Sequence, residues 1–233
     1  MNYLVWPIFS TYSIVHYFTF VQRATVKFLS GFTINIFLII IFFAGCKVSQ
    51  QVLMPKGIGI ISRQEWEAAN PVMKMKPHRL TKITIHHTAV KQNFNRTLRQ
   101  KLKALQKFSQ QRSLLSDGRI KEPWADIPYH FYIDVHGTIA EARQLQFVGD
   151  SNTPYDPTGH ALIVVEGNFN EEVLTEKQNA SLQKLVASIA AQYHIKADNI
   201  AGHKDYAQTG CPGTKLYNLI PMLKQMVQLQ NNK

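Results

Sequence analysis

Two short segments of this chain hold residue types that bind a catalytic metal ion. The first reads Ile83-Thr-Ile-His-His-Thr-Ala89, and the second reads Ala201-Gly-His-Lys-Asp-Tyr-Ala-Gln-Thr-Gly-Cys-Pro-Gly213. A catalytic zinc site uses three protein ligands and keeps one position open for water, and two imidazoles with one thiolate meet that need. The candidates are therefore one histidine of the His86-His87 pair, together with His203 and Cys211. Spacing alone does not choose between the two adjacent histidines.

Further motifs follow one another in a fixed order around these segments. Together they resemble the type 2 N-acetylmuramoyl-L-alanine amidases, which share a fold with peptidoglycan recognition proteins and phage T7 lysozyme. The resemblance runs from Ile61 to about Tyr217, nearly the whole domain. The motifs are Ile61-Ser-Arg-Gln-Glu-Trp66, Ile85-His-His-Thr-Ala89, Asp126-Ile-Pro-Tyr-His-Phe131, Asp134-Val-His-Gly-Thr-Ile-Ala-Glu141, Glu166-Gly-Asn-Phe-Asn170, Gly202-His-Lys-Asp205 and Thr209-Gly-Cys-Pro-Gly213.

This resemblance assigns a role to each candidate ligand. The first histidine of the pair matches the family ligand, so it implies that His86 binds Zn²⁺ and that His87 packs or orients its neighbour. His203 matches the second ligand and Cys211 the third. Relatives that have lost activity often lack the thiolate, so the cysteine argues for retained catalysis.

Two further residues receive catalytic roles from the same resemblance. Tyr129 matches a tyrosine that contacts the reacting centre, and Thr209 stands where the family has a catalytic Lys or Thr. Zinc lowers the pKa of bound water to about 7 and polarises a carbonyl group. The implied reaction is hydrolysis of the amide that joins N-acetylmuramic acid to L-alanine in peptidoglycan, with the tyrosine stabilising the oxyanion.

Other positions depart from the family pattern. Many relatives have a histidine in the loop that here reads Val148-Gly-Asp-Ser-Asn152. One amidase branch carries a Glu within the following strand, where this chain is apolar near Val164, and Glu166 is expected to be structural. The general base is therefore unassigned. His160 is not a candidate ligand, and neither are two other histidines, His78 and His194, which we expect to be solvated.

Hydrophobic periodicity predicts the elements that position these residues. Apolar residues in alternation predict a strand, and apolar residues three or four apart predict an amphipathic helix. The predicted elements are a strand over 82–87, a helix over 95–112, a hairpin of 129–135 with 138–142, a buried strand over 161–166, a helix after the capping box Thr175-Glu-Lys-Gln178 and a helix from about Leu216. The fold class predicted is α/β, a mixed central β-sheet flanked by helices in a single domain, 59–233.

The N-terminal residues predict export. Phe32 to Ala44 is apolar and follows Arg23 and Lys27, as in the hydrophobic region of a signal peptide. The segment is shorter than the roughly 20 residues of a membrane-spanning helix. We interpret 1–45 as a signal or leader segment and 46–58 as a tether. Phe43-Ala-Gly-Cys46 resembles the lipobox of bacterial lipoproteins, which implies a lipid anchor on Cys46 and an envelope-facing, periplasmic location.

Two alternatives remain for the anchor. Residues 1–26 make the leader unusually long, so either the true start lies nearer Lys27 or the region forms a second hydrophobic segment. The alternative to the lipid anchor is a simple uncleaved membrane anchor. A disulfide between Cys46 and Cys211 is another use of the two cysteines. Each cysteine has a better individual explanation in the lipobox and the zinc ligand set.

The formal net charge of +11 favours a polyanionic partner but does not identify it. The Lys and Arg residues are scattered and no nucleic-acid-binding motif is present, so we expect no nucleic acid partner. Peptidoglycan or muropeptides are the expected substrate. Two other functions are consistent with the sequence: non-catalytic peptidoglycan binding by the same groove, and zinc-dependent hydrolysis of another amide.

Overall fold

The computed structural model describes residues 54–115 and 118–231. The leader, Cys46 and most of the tether lie outside the described residues. In the described part of the chain, no helix has the length and apolar character needed to cross a bilayer.

A mixed sheet with helices on both faces forms the domain, as predicted. Its strands are β1 (Ile60–Ile61), β2 (Lys82–His87), β5 (Phe131–Ile133), β6 (Ile139–Glu141), β7 (His160–Val165) and β8 (Ile200–Gly202), in the order β1-β6-β5-β7-β2-β8. In this sheet, as far as the structure describes the chain, the β5–β6 pair is antiparallel and the other pairs are parallel. A separate small hairpin pairs β3 (Ser113–Leu114) with β4 (Ile120–Lys121).

The helices are α1 (Leu98–Gln110), α2 (Glu176–Tyr193), α3 (Thr214–Tyr217) and α4 (Ile220–Asn231). The capping box predicted at Thr175 and Gln178 is present: the threonine side chain accepts the Gln178 N–H, and the glutamine side chain accepts the Thr175 N–H. The last helix predicted from about Leu216 is present but divided, because α3 ends at Tyr217 and α4 begins at Ile220. Pro221 contributes to the break, because it has no N–H to donate to the carbonyl of Tyr217, the last residue of α3, as a continuous helix would require.

The two faces of the sheet bury different sets of side chains, because side chains alternate along a strand. Ile83, Ile85 and Val165 pack with α2 and α4 in one apolar cluster. The opposite face, with Val164 and Tyr132, packs near Trp66 and Leu102 of α1 in a second cluster. On α1, Phe108 continues the three-residue spacing of Leu102 and Leu105, but its side chain is 43% exposed.

The β5–β6 hairpin turns through Asp134 to Thr138, a longer loop than the predicted turn at His136-Gly137. The Asp134 carboxylate accepts the backbone N–H groups of His136 and Thr138, at 3.0 and 2.8 Å. Gly137 has a φ of +78° and lies against the first turn of α2. The hairpin is therefore fixed both internally and against the helix.

Candidate metal centre

The end of β2 presents its two histidines to opposite faces of the sheet. His86 lies opposite Val164 in the register with β7, on the α1 face. His87 points to the other face, where its ring lies 6.3 Å from that of Phe169 and its Nδ1 accepts the Phe169 N–H at 3.3 Å. His87 therefore packs against Phe169, as expected. It differs from His86 because successive side chains of a strand point to opposite faces of the sheet.

β8 brings His203 beside His86. Gly202 pairs with Ile85 of β2, so the residue after β8 emerges next to the end of β2. The rings of His86 and His203 have centroids 4.6 Å apart. The turn after β8 is held by Asp205, whose carboxylate accepts the Gly202 N–H at 2.8 Å and the Tyr217 hydroxyl at 2.6 Å.

Cys211 reaches the same place from the loop that follows. Its Sγ lies 3.6 Å from His86 Nδ1 and accepts the backbone N–H of His87 at 3.4 Å. Thr209 fixes the loop, because its Oγ1 accepts the Cys211 N–H at 3.2 Å. The Lys204 N–H donates to the Cys211 carbonyl at 2.9 Å, which ties the loop to the turn that carries His203.

One donor atom from each of His86, His203 and Cys211 lies within 4.8 Å of the other two. Donors bound to one tetrahedral zinc at about 2.0–2.3 Å lie roughly 3.3–3.6 Å apart, so the set closes on an ion with a movement of about an ångström. The buried Nε2 of His86 has no hydrogen-bond partner among the described residues. Two imidazoles and a thiol fit zinc well.

Burial sets the protonation of these three groups. It lowers the pKa of His86 well below its ordinary value and that of His203 to about 4, so both rings are neutral at pH 7. Burial raises the pKa of Cys211 to about 12, and the His87 N–H opposes this rise. Neutral imidazoles are the ligand form, while the thiol releases its proton when a metal binds.

Tyr129 and Thr209 line the same cavity of about 390 Å³ as the three candidate ligands. The Tyr129 ring centroid lies 5.1 Å from that of His86. Burial and the neighbouring Cys211 raise the pKa of Tyr129, so its hydroxyl stays protonated and remains a hydrogen-bond donor. A second cavity of about 500 Å³ shares Trp124, Pro128 and Tyr129 with the first and extends along α1.

Glu166 lies in this second cavity but is fully engaged. Its carboxylate accepts the Lys101 ammonium at 2.8 Å and the N–H groups of Asn93 and Val135, at 3.1 and 3.3 Å. Val164 is completely buried, as expected of its apolar strand. Among the described residues, Asp150 is the only acidic side chain that lines the metal-side cavity, and it pairs with Arg143. The geometry therefore does not single out a carboxylate base.

The remaining histidines divide differently from the sequence prediction. His194 is exposed, as predicted. The prediction that His78 is solvated is wrong, because its Nδ1 accepts the Gly159 N–H at 2.9 Å and its Nε2 lies 3.1 Å from the Leu145 carbonyl oxygen. His160 stands apart from the donor set, with its Nδ1 2.7 Å from the Thr84 hydroxyl. His78 is therefore held by backbone groups that are distant in sequence, Gly159 and Leu145, which periodicity does not encode.

Residues 76–214 match the family model described as N-acetylmuramoyl-L-alanine amidase. The chain belongs to this family. It is 30% identical over 166 residues to peptidoglycan-recognition protein SC2 of Drosophila melanogaster, covering 70% of this chain and 85% of that protein.

Two solved structures are similar to this chain in both sequence and fold. The endolysin N-acetylmuramoyl-L-alanine amidase LysCS of Clostridium intestinale is 28% identical, with a TM-score of 0.55 over 73% of this chain and 95% of its own. Peptidoglycan recognition protein-LE, solved with tracheal cytotoxin, a monomeric diaminopimelic acid-type peptidoglycan, is 28% identical, with a TM-score of 0.58 over 70% of this chain and 92% of its own.

Proposed function

We propose that this protein is a zinc-dependent N-acetylmuramoyl-L-alanine amidase that hydrolyses the amide between N-acetylmuramic acid and L-alanine. The observation that carries the proposal is the convergence of His86, His203 and Cys211 in a cavity that Tyr129 also lines. Family membership and the similarity to the Clostridium intestinale amidase support it. The thiol matters most, because it completes a donor set that suits a catalytic zinc with one open position.

A zinc ion held by His86, His203 and Cys211 would supply a hydroxide nucleophile at neutral pH and would polarise the scissile carbonyl. Three neighbouring residues would support this chemistry through hydrogen bonds. The His87 N–H donates to the Cys211 sulfur and favours its thiolate form. The protonated Tyr129 hydroxyl donates to the oxyanion that develops from the carbonyl. The Thr209 oxygen accepts the Cys211 N–H, which leaves its own proton free to hydrogen-bond the reacting group.

The second cavity gives the substrate room beside the reacting bond. It is walled by aromatic and aliphatic side chains, by the basic residues Lys91 and Arg96, and by the Lys101–Glu166 ion pair. Such a mixture suits a glycopeptide, whose sugar and stem peptide present apolar faces and carboxylates. Peptidoglycan or a soluble muropeptide is therefore the proposed substrate.

Digestion of purified sacculi by the zinc-loaded protein tests this function. We expect mass spectrometry to find free stem peptides that begin with L-alanine. The variant Cys211→Ala should lose both zinc and stem-peptide release, whereas His194→Asn, which changes an exposed residue, should retain both. A Cys211→Ala protein with full activity would refute the ligand assignment. Sacculus binding without any release by the zinc-loaded protein would instead support the non-catalytic function.

We also propose that the chain is exported and tethered to a membrane through a lipid on Cys46. The proposal rests on the sequence of residues 23–46, because this segment lies outside the described residues. Cells that express the protein and are fed a palmitate analogue should label the native chain but not Cys46→Ala. A Cys46→Ala chain that still carries the label would contradict the anchor.

A further inference from the structure

A pair of hydroxyl groups lies against the outer nitrogen of the His203 ring. Thr153 Oγ1 is 2.6 Å from His203 Nε2, and Ser151 Oγ is 3.4 Å from the same atom. The two hydroxyl oxygens are 2.7 Å apart, and Ser151 Oγ also accepts the Thr153 backbone N–H at 3.1 Å. The contact between Thr153 and His203 is therefore backed by two further hydrogen bonds.

Two other rings lie beside the same imidazole, with planes inclined to it by 49° and 48°. Tyr155 lies 5.1 Å from His203, centroid to centroid, and His86 lies 4.6 Å from it. Tyr155 is itself stacked on Tyr206 at 5.8 Å, with planes inclined by 14°. The ring of His203 can thus neither tilt nor turn freely without moving its neighbours.

The loop that supplies these contacts is anchored at several points. Asp150 pairs with the buried Arg143, and the Asn152 carbonyl accepts an N–H of Arg119 at 3.1 Å. These contacts place the hydroxyl groups on fixed backbone, as the support of a metal ligand requires.

The hydrogen bond to Thr153 determines which nitrogen of His203 can bind a metal. A neutral imidazole has one N–H and one free lone pair, and only the nitrogen with the lone pair binds a metal. A hydrogen bond from Nε2–H to the Thr153 oxygen leaves Nδ1 of His203 as the ligand atom. The Thr153 proton then goes to Ser151 Oγ, so the ring N–H and the Thr153 hydroxyl each donate to an acceptor.

We propose that Thr153, backed by Ser151, is a positioning residue that fixes the tautomer and orientation of His203 for zinc. This inference rests on the proposed zinc site, and it concerns residues to which neither the family comparison nor the sequence assigns a role. Thr153 acts on the ligand rather than on the substrate. Loss of the Thr153 hydroxyl should therefore weaken zinc affinity. Residues that hydrogen-bond a metal-binding histidine typically contribute about 10–100-fold to metal affinity.

The experiment compares zinc affinities of full-length variants by competition with a chromogenic chelator. Thr153→Val keeps the shape of the side chain but removes the hydroxyl, and we expect about a tenfold weaker zinc affinity. Thr153→Ser restores the hydroxyl and should return the affinity to within about threefold of the native value. Thr158→Val is the matched control, because its hydroxyl belongs to the same loop but hydrogen-bonds Asp156.

Nitrogen-15 spectra of His203 give a readout that does not depend on activity or on the stability of a variant. The native protein should show His203 protonated at Nε2, both with and without zinc. A native ring protonated at Nδ1 would overturn the proposal, as would a folded Thr153→Val protein with native zinc affinity. If the zinc affinities of the native protein and the Thr153 variants are as expected but the native protein releases no stem peptides from sacculi, only the proposed amidase function is contradicted.

Discussion

Tyr129 is the residue whose loss should separate catalysis from metal binding. Its ring lies beside His86, and burial next to Cys211 raises its pKa, so the hydroxyl is a permanent donor at neutral pH. Tyr129→Phe should therefore keep zinc but lower kcat by about 10²–10³, the usual effect of removing one oxyanion donor. The measurement is muropeptide turnover together with zinc content.

A tyrosine on the far side of the domain provides the control for this substitution. Tyr193, near the end of α2, is outside both cavities, and Tyr193→Phe should leave turnover unchanged. Native turnover by Tyr129→Phe would show that the hydroxyl is not an oxyanion donor. Loss of zinc from Tyr129→Phe would place the residue in metal binding instead.

The ordered motifs predicted which residues meet at the candidate metal centre. Strand alternation explains why His86 joins Cys211 while its neighbour His87 turns to Phe169, and that distinction was available only through the family resemblance. The hydroxyl partners of His203 were not predicted. Thr153 is fifty residues away in sequence from its partner, and nothing in its local pattern marks it as a contact.

At the scale of elements, Gly137 should be the most sensitive position of the β5–β6 hairpin. Its φ is +78°, and an added Cβ would lie 2.6 Å from the Lys177 carbonyl oxygen at the start of α2. Gly137→Ala should lower the free energy of unfolding by more than about 2 kcal/mol, from left-handed strain and from a clash with backbone. Urea denaturation measures the loss.

Gly57→Ala separates the two causes. Gly57 has a similar φ of +77°, but an added Cβ there would meet nothing within 4 Å. This variant should lose only the conformational part, roughly 1–2 kcal/mol. Equal losses in the two variants would show that the contact between the hairpin and α2 contributes nothing.

Elements with strong local signals were predicted from the sequence, and those defined by their partners were not. The apolar run of β7 and the capping box of α2 each identify their element locally. β1 and β8 are two and three residues long, and each exists only because it pairs in parallel with a distant strand. Such pairing depends on tertiary packing rather than on local propensity.

At the scale of the whole molecule, the sheet order brings the ends of β2 and β8 together. These strands are more than a hundred residues apart in sequence, yet they are hydrogen-bonded neighbours. Parallel strands end at the same edge, so His86 and His203 leave the sheet side by side. The candidate centre is thus a product of topology, which the sequence pattern alone does not reveal.

His130 should make the stability of the whole domain depend on pH. It lies just before β5 and is completely buried; its Nδ1 accepts the Leu162 N–H at 2.9 Å and its Nε2 donates to the Phe147 carbonyl at 2.8 Å. Burial is the main cause that lowers its pKa to about 3, and Arg143 adds to the effect. The unfolded chain has an ordinary histidine pKa of about 6.5.

The sign of the dependence follows from which state binds more protons. Between pH 6.5 and about 3 the unfolded histidine is protonated and the folded one is neutral, so stability is full above pH 6.5 and falls as the pH is lowered. One such group contributes a slope of up to about 1.4 kcal/mol per pH unit. The range from pH 6.5 to 5 isolates histidines, because carboxyl groups titrate near pH 4.

Urea denaturation of native protein and His130→Gln at pH 6.5, 6.0, 5.5 and 5.0 measures this contribution as a difference of slopes. Other histidines contribute equally to both proteins, so the native slope should be steeper by the contribution of one proton. His194→Asn is the control, because His194 is exposed and asparagine tolerates its left-handed backbone, φ 54°. Parallel slopes for native protein and His130→Gln would mean that His130 titrates alike in the folded and unfolded chains.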